Sequence, residues 1–399
     1  MNSDIRTARR FDTGEVVDVR FAGGAITEIS PHSDRSGDAA EAPDVKSGLP
    51  WISPGWIDLQ VNGYAGFDFN ADPITVRDVL GVTEQMNRYG VTAYLPTVIT
   101  GSYERMKQAV GLIGQVCDEQ ESATASIVGI HVEGPYLSRE DGPRGAHPRE
   151  HVREPDYGEW QRLQEASGNR IRMITIAPER EGMAGFVKRL AEEGIIVCIG
   201  HTAADPHELD AAVAAGAVLS THLGNGSHPT LARHPNYIWH QLGEDRLWAS
   251  FIPDGHHLAP AVLKSMIRAK RDRFVLVTDC VALGGMPPGT YRSLVGGEVE
   301  VHANGRLSTA HNPNILAGSG VTMPECVANA VRMAGLTLRE AVEAVTVRPA
   351  TVLGRPDLGR LVPGAAADLT LFHTHADGSL TVAETIVKGK TAFKRQYEG

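Results

Sequence analysis

Apolar runs in this chain repeatedly end on residues that can bind a metal ion or carry a proton. "IVGIHVEGPYLS" supplies His131 and Glu133, "IIVCIGHT" supplies His201, and "AVLSTHLGNG" supplies His222. "ASFIPDGHHL" adds Asp254, His256 and His257, and "FVLVTDC" adds Asp279. Taken singly, such a histidine is a hydrogen-bonded structural group and such an aspartate a helix cap. Gathered at one place, several ionisable groups are costly unless they are paired or metal-bound. Glu133, His201 and His222 make a chemically sensible set. One carboxylate and two imidazoles, with a further position left to water, suit catalytic Zn²⁺ or a similar divalent ion. Asp279 is then the natural base, because activated water needs a carboxylate within hydrogen-bond reach to take its proton and pass it to a leaving group.

Something must bring these residues together. From Pro54 onward, runs such as "VTAYLPTVI" and "IRMITIAPE" recur, separated by helix-like segments such as "PITVRDVLGVTEQMNRYG" and "PHELDAAVAAG". Near-continuous apolar strands alternating with amphipathic helices indicate a buried parallel sheet. About seven or eight such units within about 300 residues have the length and rhythm of a (β/α)8 barrel, whose chemistry sits where strands end and loops begin. The chain ends differ in character. "GEVVDVRFAGGAITEIS" alternates around Gly-Gly, and "PHSDRSGDAAEAPDVKSG" after it reads as a long hairpin loop. Beyond the helix pair in "LTLREAVEAVTVRPATVLG", strands return in "ADLTLFH" and "GSLTVAETIVKGKTAFK". The expected architecture is α/β: a TIM-like barrel over 54–355 and a small β-sandwich domain built from both ends, 1–53 and 356–399.

Bulk properties narrow the partners. The 399 residues are 42% hydrophobic and 22% charged, enough to bury a sizeable core. A net charge of −10 argues against nucleic acid or an anionic membrane as partner, but not against a small anionic substrate. The four cysteines (Cys117, Cys198, Cys280, Cys326) show no CxxC pair and no framework spacing, which reads as buried reduced thiols. No secretory h-region and no apolar run of about 20 residues is present, so the expectation is a soluble, cytoplasmic protein.

The blocks "PGWIDLQVNG", "GIHVEGPYLS", "RGAHPREHV", "IGHTAAD", "THLGNG", "IPDGHHL", "LVTDCVALGG", "LAGSGVTM", "RPATVLG" and "GRLVPGAAADLTLF" carry a resemblance. In order and spacing the chain resembles the amidohydrolase superfamily, and within it the N-acetylglucosamine-6-phosphate deacetylases. That resemblance implies a metal-dependent enzyme that hydrolyses an N-acetyl group from an amino-sugar phosphate and works as a homodimer. It implies Glu133, His201 and His222 as metal ligands, Asp279 as general base and then acid, and His147 of "GAH" as a group that helps polarise the acetyl carbonyl. It implies His257 as a sugar contact and the backbone of Asn225 and Gly226 as phosphate contacts. Arg233 of "LARHP" corresponds to a phosphate-binding arginine, with a neighbouring subunit's site within its reach.

Binuclear relatives hold a second metal with two histidines at the end of the first barrel strand, where this chain has Gln60 and Asn62. Neutral amides are poor transition-metal ligands but good hydrogen-bond partners. The resemblance therefore implies about one divalent ion per subunit, Zn²⁺ foremost and Fe²⁺, Mn²⁺ or Co²⁺ as alternatives. The family pattern departs at "THLGNGSHP", where glycines flank Asn225 in place of a large aromatic residue and Asn-Ala-Met. This points to a variant N-acetyl amino sugar, unphosphorylated or of galactosamine type, as the alternative substrate. Another amidohydrolase activity, opening a cyclic amide or cleaving an N-acyl amino acid, is opposed by the "EGP" and "GAH" blocks. A metal-free scaffold would have lost the ligands or the base, and all four residues are present. His131, two residues before Glu133 and so on the same face of its strand, reads as a structural group or as a support to that ligand. His228, His234 and His240 read as solvated or structural, with a substrate contact by one of them as the alternative, and Asp254 as a helix cap or a partner to a histidine.

Overall fold

Continuous apolar sequence becomes fully buried strand. The computed structural model describes residues 4–33, 48–293 and 297–396, so most of the stretch read as a long hairpin loop (34–47) lies outside the described residues. Eight parallel-barrel strands follow in chain order: β1 (Trp56–Val61), β2 (Val91–Ile99), β3 (Ile130–Glu133), β4 (Ile171–Ile176), β5 (Ile196–Ile199), β6 (Ala217–Ser220), β7 (Trp248–Phe251) and β8 (Phe274–Leu276). They lie side by side in that order. Every residue of β1 and β2 is buried, as strands covered on both faces require. The register sets neighbouring strand ends level: Ile99 faces Glu133, and Glu133 faces Thr175. Closure comes from the segment after β8, where Asp279 N–H donates to Gln60 O (3.0 Å) and Asn62 N–H donates to Cys280 O (2.8 Å). The expected α/β barrel is present.

Two compact units are distinguished, one of residues 1–57, 84–93 and 323–399, the other of 58–83 and 94–322. In the first, a seven-stranded sheet draws on both chain ends, as expected. Trp51–Pro54 is its junction, pairing parallel with Asp4–Arg10 and antiparallel with Leu369–Thr374. Val17, Val19 and Phe21 alternate into its core with Ile52, Leu369, Leu371 and Ile386, the two-residue period of a sheet with one dry face. This unit also holds the helix pair Leu338–Glu343 and Val347–Val352.

In the second unit, a four-stranded antiparallel sheet that the sequence reading did not anticipate follows β8: Gly289–Ser293, Gly297–Val301, Leu307–Thr309 and Asn312–Leu316. Val299, Val301, Leu307 and Ala317 form its small core. The four cysteines are free and buried. No described helix is long and apolar enough to cross a membrane.

Candidate active site

The loops at the C-terminal ends of the barrel strands aim their side chains inward by an uncommon backbone turn. His201 (φ 51°), His222 (φ 28°) and Asp279 (φ 48°) are three of the seven described non-glycine residues with positive φ. Each such residue costs about 1–2 kcal/mol, a strain that persists only where the surroundings impose it. Around His201 those surroundings are explicit. A Cβ on Gly200, just before it, would meet Thr175 Cγ2 at 2.8 Å and Thr221 Cβ at 2.9 Å. Just after it, Asp205 caps the helix Pro206–Ala215 with a reciprocal pair of bonds to Glu208.

Glu133, at the end of β3, is the centre of the site. Its Oε1 lies 3.0 Å from His222 Nε2, 3.2 Å from His201 Nε2 and 3.1 Å from Gln60 Nε2, which donates to it. His147 Nε2 lies 3.2 Å from His201 Nε2, and ligand atoms of Glu133, His147 and His201 all fall within 4.8 Å of one another. All five residues are buried. Burial alone would raise the Glu133 pKa, but the bonds to His201 and His222 hold it well below the usual carboxylate range. His222 is drawn upward by Glu133 against its own burial. Burial, and then His201, pushes His147 down to about 3.

This donor set fits a divalent cation. His201 Nδ1 donates to the Pro143 carbonyl (2.8 Å), which leaves Nε2 as the ring nitrogen that faces a carboxylate oxygen and a second imidazole nitrogen and would bind a cation there. A carboxylate and imidazoles gathered in this way are what a metal ion holds together, and a carbonyl on the outer nitrogen is the usual way to fix the ligating tautomer.

Asp279 stands beside this cluster. Enclosure away from water, and then repulsion from Glu133, raises its pKa to about 6. Asn62 Nδ2 donates to its Oδ1 (2.7 Å). Gln60 and Asn62 therefore each hold one of the two site carboxylates.

These residues open on a cavity of about 810 Å³ that lies wholly within the second unit. Asn225, Gly226, His256 and His257 also line it. A Cβ on Gly226 (φ 54°) would lie 2.5 Å from His201 Nδ1, so glycine is required for the chain to pass behind that ring. His257 Nδ1 meets Asp254 Oδ2 at 2.6 Å, which gives Asp254 a partner role. Arg233 is exposed and is not among the lining residues, and His234 is exposed as well.

His131 lies buried within the barrel, bonded through Nε2 to Thr175 Oγ1 (2.8 Å). His228 pairs with Tyr237 and Glu140 at the cavity rim, and His240 pairs with Asp210. Several polar lining residues escaped the sequence reading, Asp68, Asn70 and Arg306 among them. Asp68 and Asn70 follow the glycine loop after β1, and Arg306 comes from the unanticipated four-stranded sheet. The Asn-Gly turn in "HANGRL" was the signal for that sheet.

The comparisons agree with this geometry. The sequence matches the amidohydrolase family over residues 51–392. It is 34% identical to an N-acetylgalactosamine-6-phosphate deacetylase of Escherichia coli O157:H7 over 375 residues, 94% of each chain. It is 33% identical to the N-acetylglucosamine-6-phosphate deacetylase of Danio rerio, over 86% of this chain and 85% of that one. In structure it is similar to a mutant N-acetyl-D-glucosamine-6-phosphate deacetylase from Mycobacterium smegmatis solved with N-acetyl-D-glucosamine 6-phosphate. That match has a TM-score of 0.85 and 28% identity, and covers 98% of this chain and 100% of that one. With the barrel, the Glu133 cluster and a match across most of its length, the chain belongs to the amidohydrolase family.

Proposed function

We propose that this protein hydrolyses the N-acetyl group of N-acetylglucosamine 6-phosphate, giving glucosamine 6-phosphate and acetate. The observation that carries this reading is one cavity in which a buried carboxylate–imidazole cluster adjoins a carboxyl group raised to about 6. The names of the relatives supply the sugar. Glu133, His201 and His222 would hold the cation, which supplies Lewis acidity toward the acetyl carbonyl and lowers the pKa of water. Zn²⁺ suits one carboxylate and two imidazoles, and Fe²⁺, Mn²⁺ and Co²⁺ accept the same set.

The chain's own groups perform the proton transfers. Asp279 is ionised at neutral pH, takes a proton from the attacking water and returns it to the departing amine nitrogen. A carboxyl titrating near 6 is close enough to neutrality for both steps. Asn62 fixes its orientation. His147 stays uncharged at neutral pH and donates a hydrogen bond to the oxygen that gains charge. The Asn225 and Gly226 amides meet the phosphate, and His257, held by Asp254, meets the sugar. A cytoplasmic location accords with the four free buried thiols. A homodimer accords with the 60% exposure of Trp239 beside the Arg233 loop.

A second reading, in which the substrate is the galactosamine epimer, is favoured by the 34% identity to the Escherichia coli relative. Acetate release from N-acetylglucosamine and N-acetylgalactosamine, each with and without the 6-phosphate, tests both. N-acetylglucosamine 6-phosphate is expected to react fastest. A faster galacto 6-phosphate would install the second reading, and no acetate from any of the four would end both.

A further inference from the structure

Asp58 is a fully buried carboxyl that the proton chemistry of the site does not use. It lies in β1, two residues before Gln60, and is bonded only to donors. Its Oδ1 accepts the Gln60 N–H (3.2 Å) and its Oδ2 accepts the Thr278 hydroxyl (2.6 Å), while both oxygens lie 3.3 Å from the Thr278 amide nitrogen. Burial pushes Asp58 up to about 7 against the pull of these bonds.

Thr278 immediately precedes Asp279. Its hydroxyl proton goes to Asp58, since the other acceptor, Gln60 O, is 3.5 Å away. The hydroxyl oxygen also accepts the Cys280 N–H (3.2 Å), on the far side of Asp279. Thr278 therefore spans the residue between, and Asp58 fastens that span to β1. Asp279 sits inside it with φ 48°, a left-handed backbone that persists only where the surroundings impose it. Its N–H donates to Gln60 O (3.0 Å), its carbonyl accepts from the Ser319 N–H (3.2 Å), and its carboxylate meets Asn62 (2.7 Å).

We infer that Asp58 and Thr278 are positioning residues, a clasp between β1 and the end of β8 that holds Asp279 in the turn presenting its carboxylate to the cavity. The inference rests on the reading of Asp279 as the group that carries the proton. Asp279 lines the cavity, whereas Asp58 and Thr278 do not, so they act only through their neighbour. Misplacing a reacting group by about 1 Å can cost about a hundredfold in rate.

Thr278→Val keeps the side chain's size and removes the hydroxyl, Thr278→Ser keeps the hydroxyl, and Asp58→Asn replaces one acceptor oxygen with a donor. In the metal-loaded, full-length protein, Thr278→Val and Asp58→Asn are expected to lower kcat for acetate release about tenfold to a hundredfold. KM and bound metal should change little, and Thr278→Ser should stay close to native. Added to Asp279→Asn, Thr278→Val should cost nothing further, because the clasp works through the base alone. Crystal structures give a readout that needs no turnover: Asp279 should lose its Asn62 bond in Thr278→Val and keep it in Thr278→Ser. Native kcat in both Thr278→Val and Asp58→Asn overturns the inference, as does an unmoved Asp279 in Thr278→Val. Thr278→Ser as slow as Thr278→Val, or an equal loss in the Asp279→Asn background, overturns it too. Should Thr278→Val not fold, Asp58→Asn takes its place in each comparison. Native protein that releases no acetate, with Asp279 displaced in the Thr278→Val structure, would remove the deacetylase reading and leave the clasp standing.

Discussion

Asp279 and Asn62 make the site's proton chemistry measurable. Asp279 must be ionised to act as base, so kcat should fall about tenfold per pH unit on the acid side of a break near 6. The Asn62 amide donates to the carboxylate and so favours the ionised form. Asn62→Ala should therefore move the break upward, and a pH–rate profile of both proteins reads it directly. Asp279→Asn should lower kcat by about 10²–10⁴ while the protein still binds its metal, as parallel kinetics and metal analysis would show. Glu133, His201, His222 and Asp279 were legible because each closes an apolar run. His147 was not, since it lies in a loop well beyond β3 and only its "GAH" setting marks it. Nor did type and spacing show that Gln60 and Asn62 bond Glu133 and Asp279, because the first pair is made by the packing of β1 near β3 and the second by barrel closure.

At the scale of elements, two supports can be removed one at a time. Gly226→Ala puts a Cβ within 2.5 Å of His201 Nδ1 in a left-handed backbone, so it should displace the ring and its bond to Pro143 O. The expected outcome is weaker metal retention with an unchanged far-ultraviolet circular dichroism spectrum. Lys270 closes the helix Pro260–Lys270, and its Nζ donates to the carbonyls of Gln241, Glu244 and Leu247 at 2.8–2.9 Å. Lys270→Met strands those acceptors and should cost on the order of 2 kcal/mol or more in denaturant unfolding. The barrel strands were readable because strands buried on both faces leave long apolar runs. The four-stranded sheet was not, because its strands are only three to five residues long, too short for alternation to stand out. Its Asn-Gly turn carried the information, and with it went Arg306.

For the whole molecule, the proposed hydrolase is expected to work with one divalent ion per chain, because the end of β1 offers the neutral amides of Gln60 and Asn62, which are poor ligands for a second transition metal. Both amides are already committed, Gln60 to Glu133 and Asn62 to Asp279, so ligating a second cation would break bonds that position the site. Prolonged dialysis against a chelator should abolish acetate release and leave the seven-stranded sheet of the other unit folded. The most direct test is to titrate the chelator-treated protein with Zn²⁺ while following acetate release from N-acetylglucosamine 6-phosphate. Activity should rise linearly and level off at about one equivalent per chain. A plateau reached only near two equivalents, or acetate release that never depends on added metal, would contradict the account.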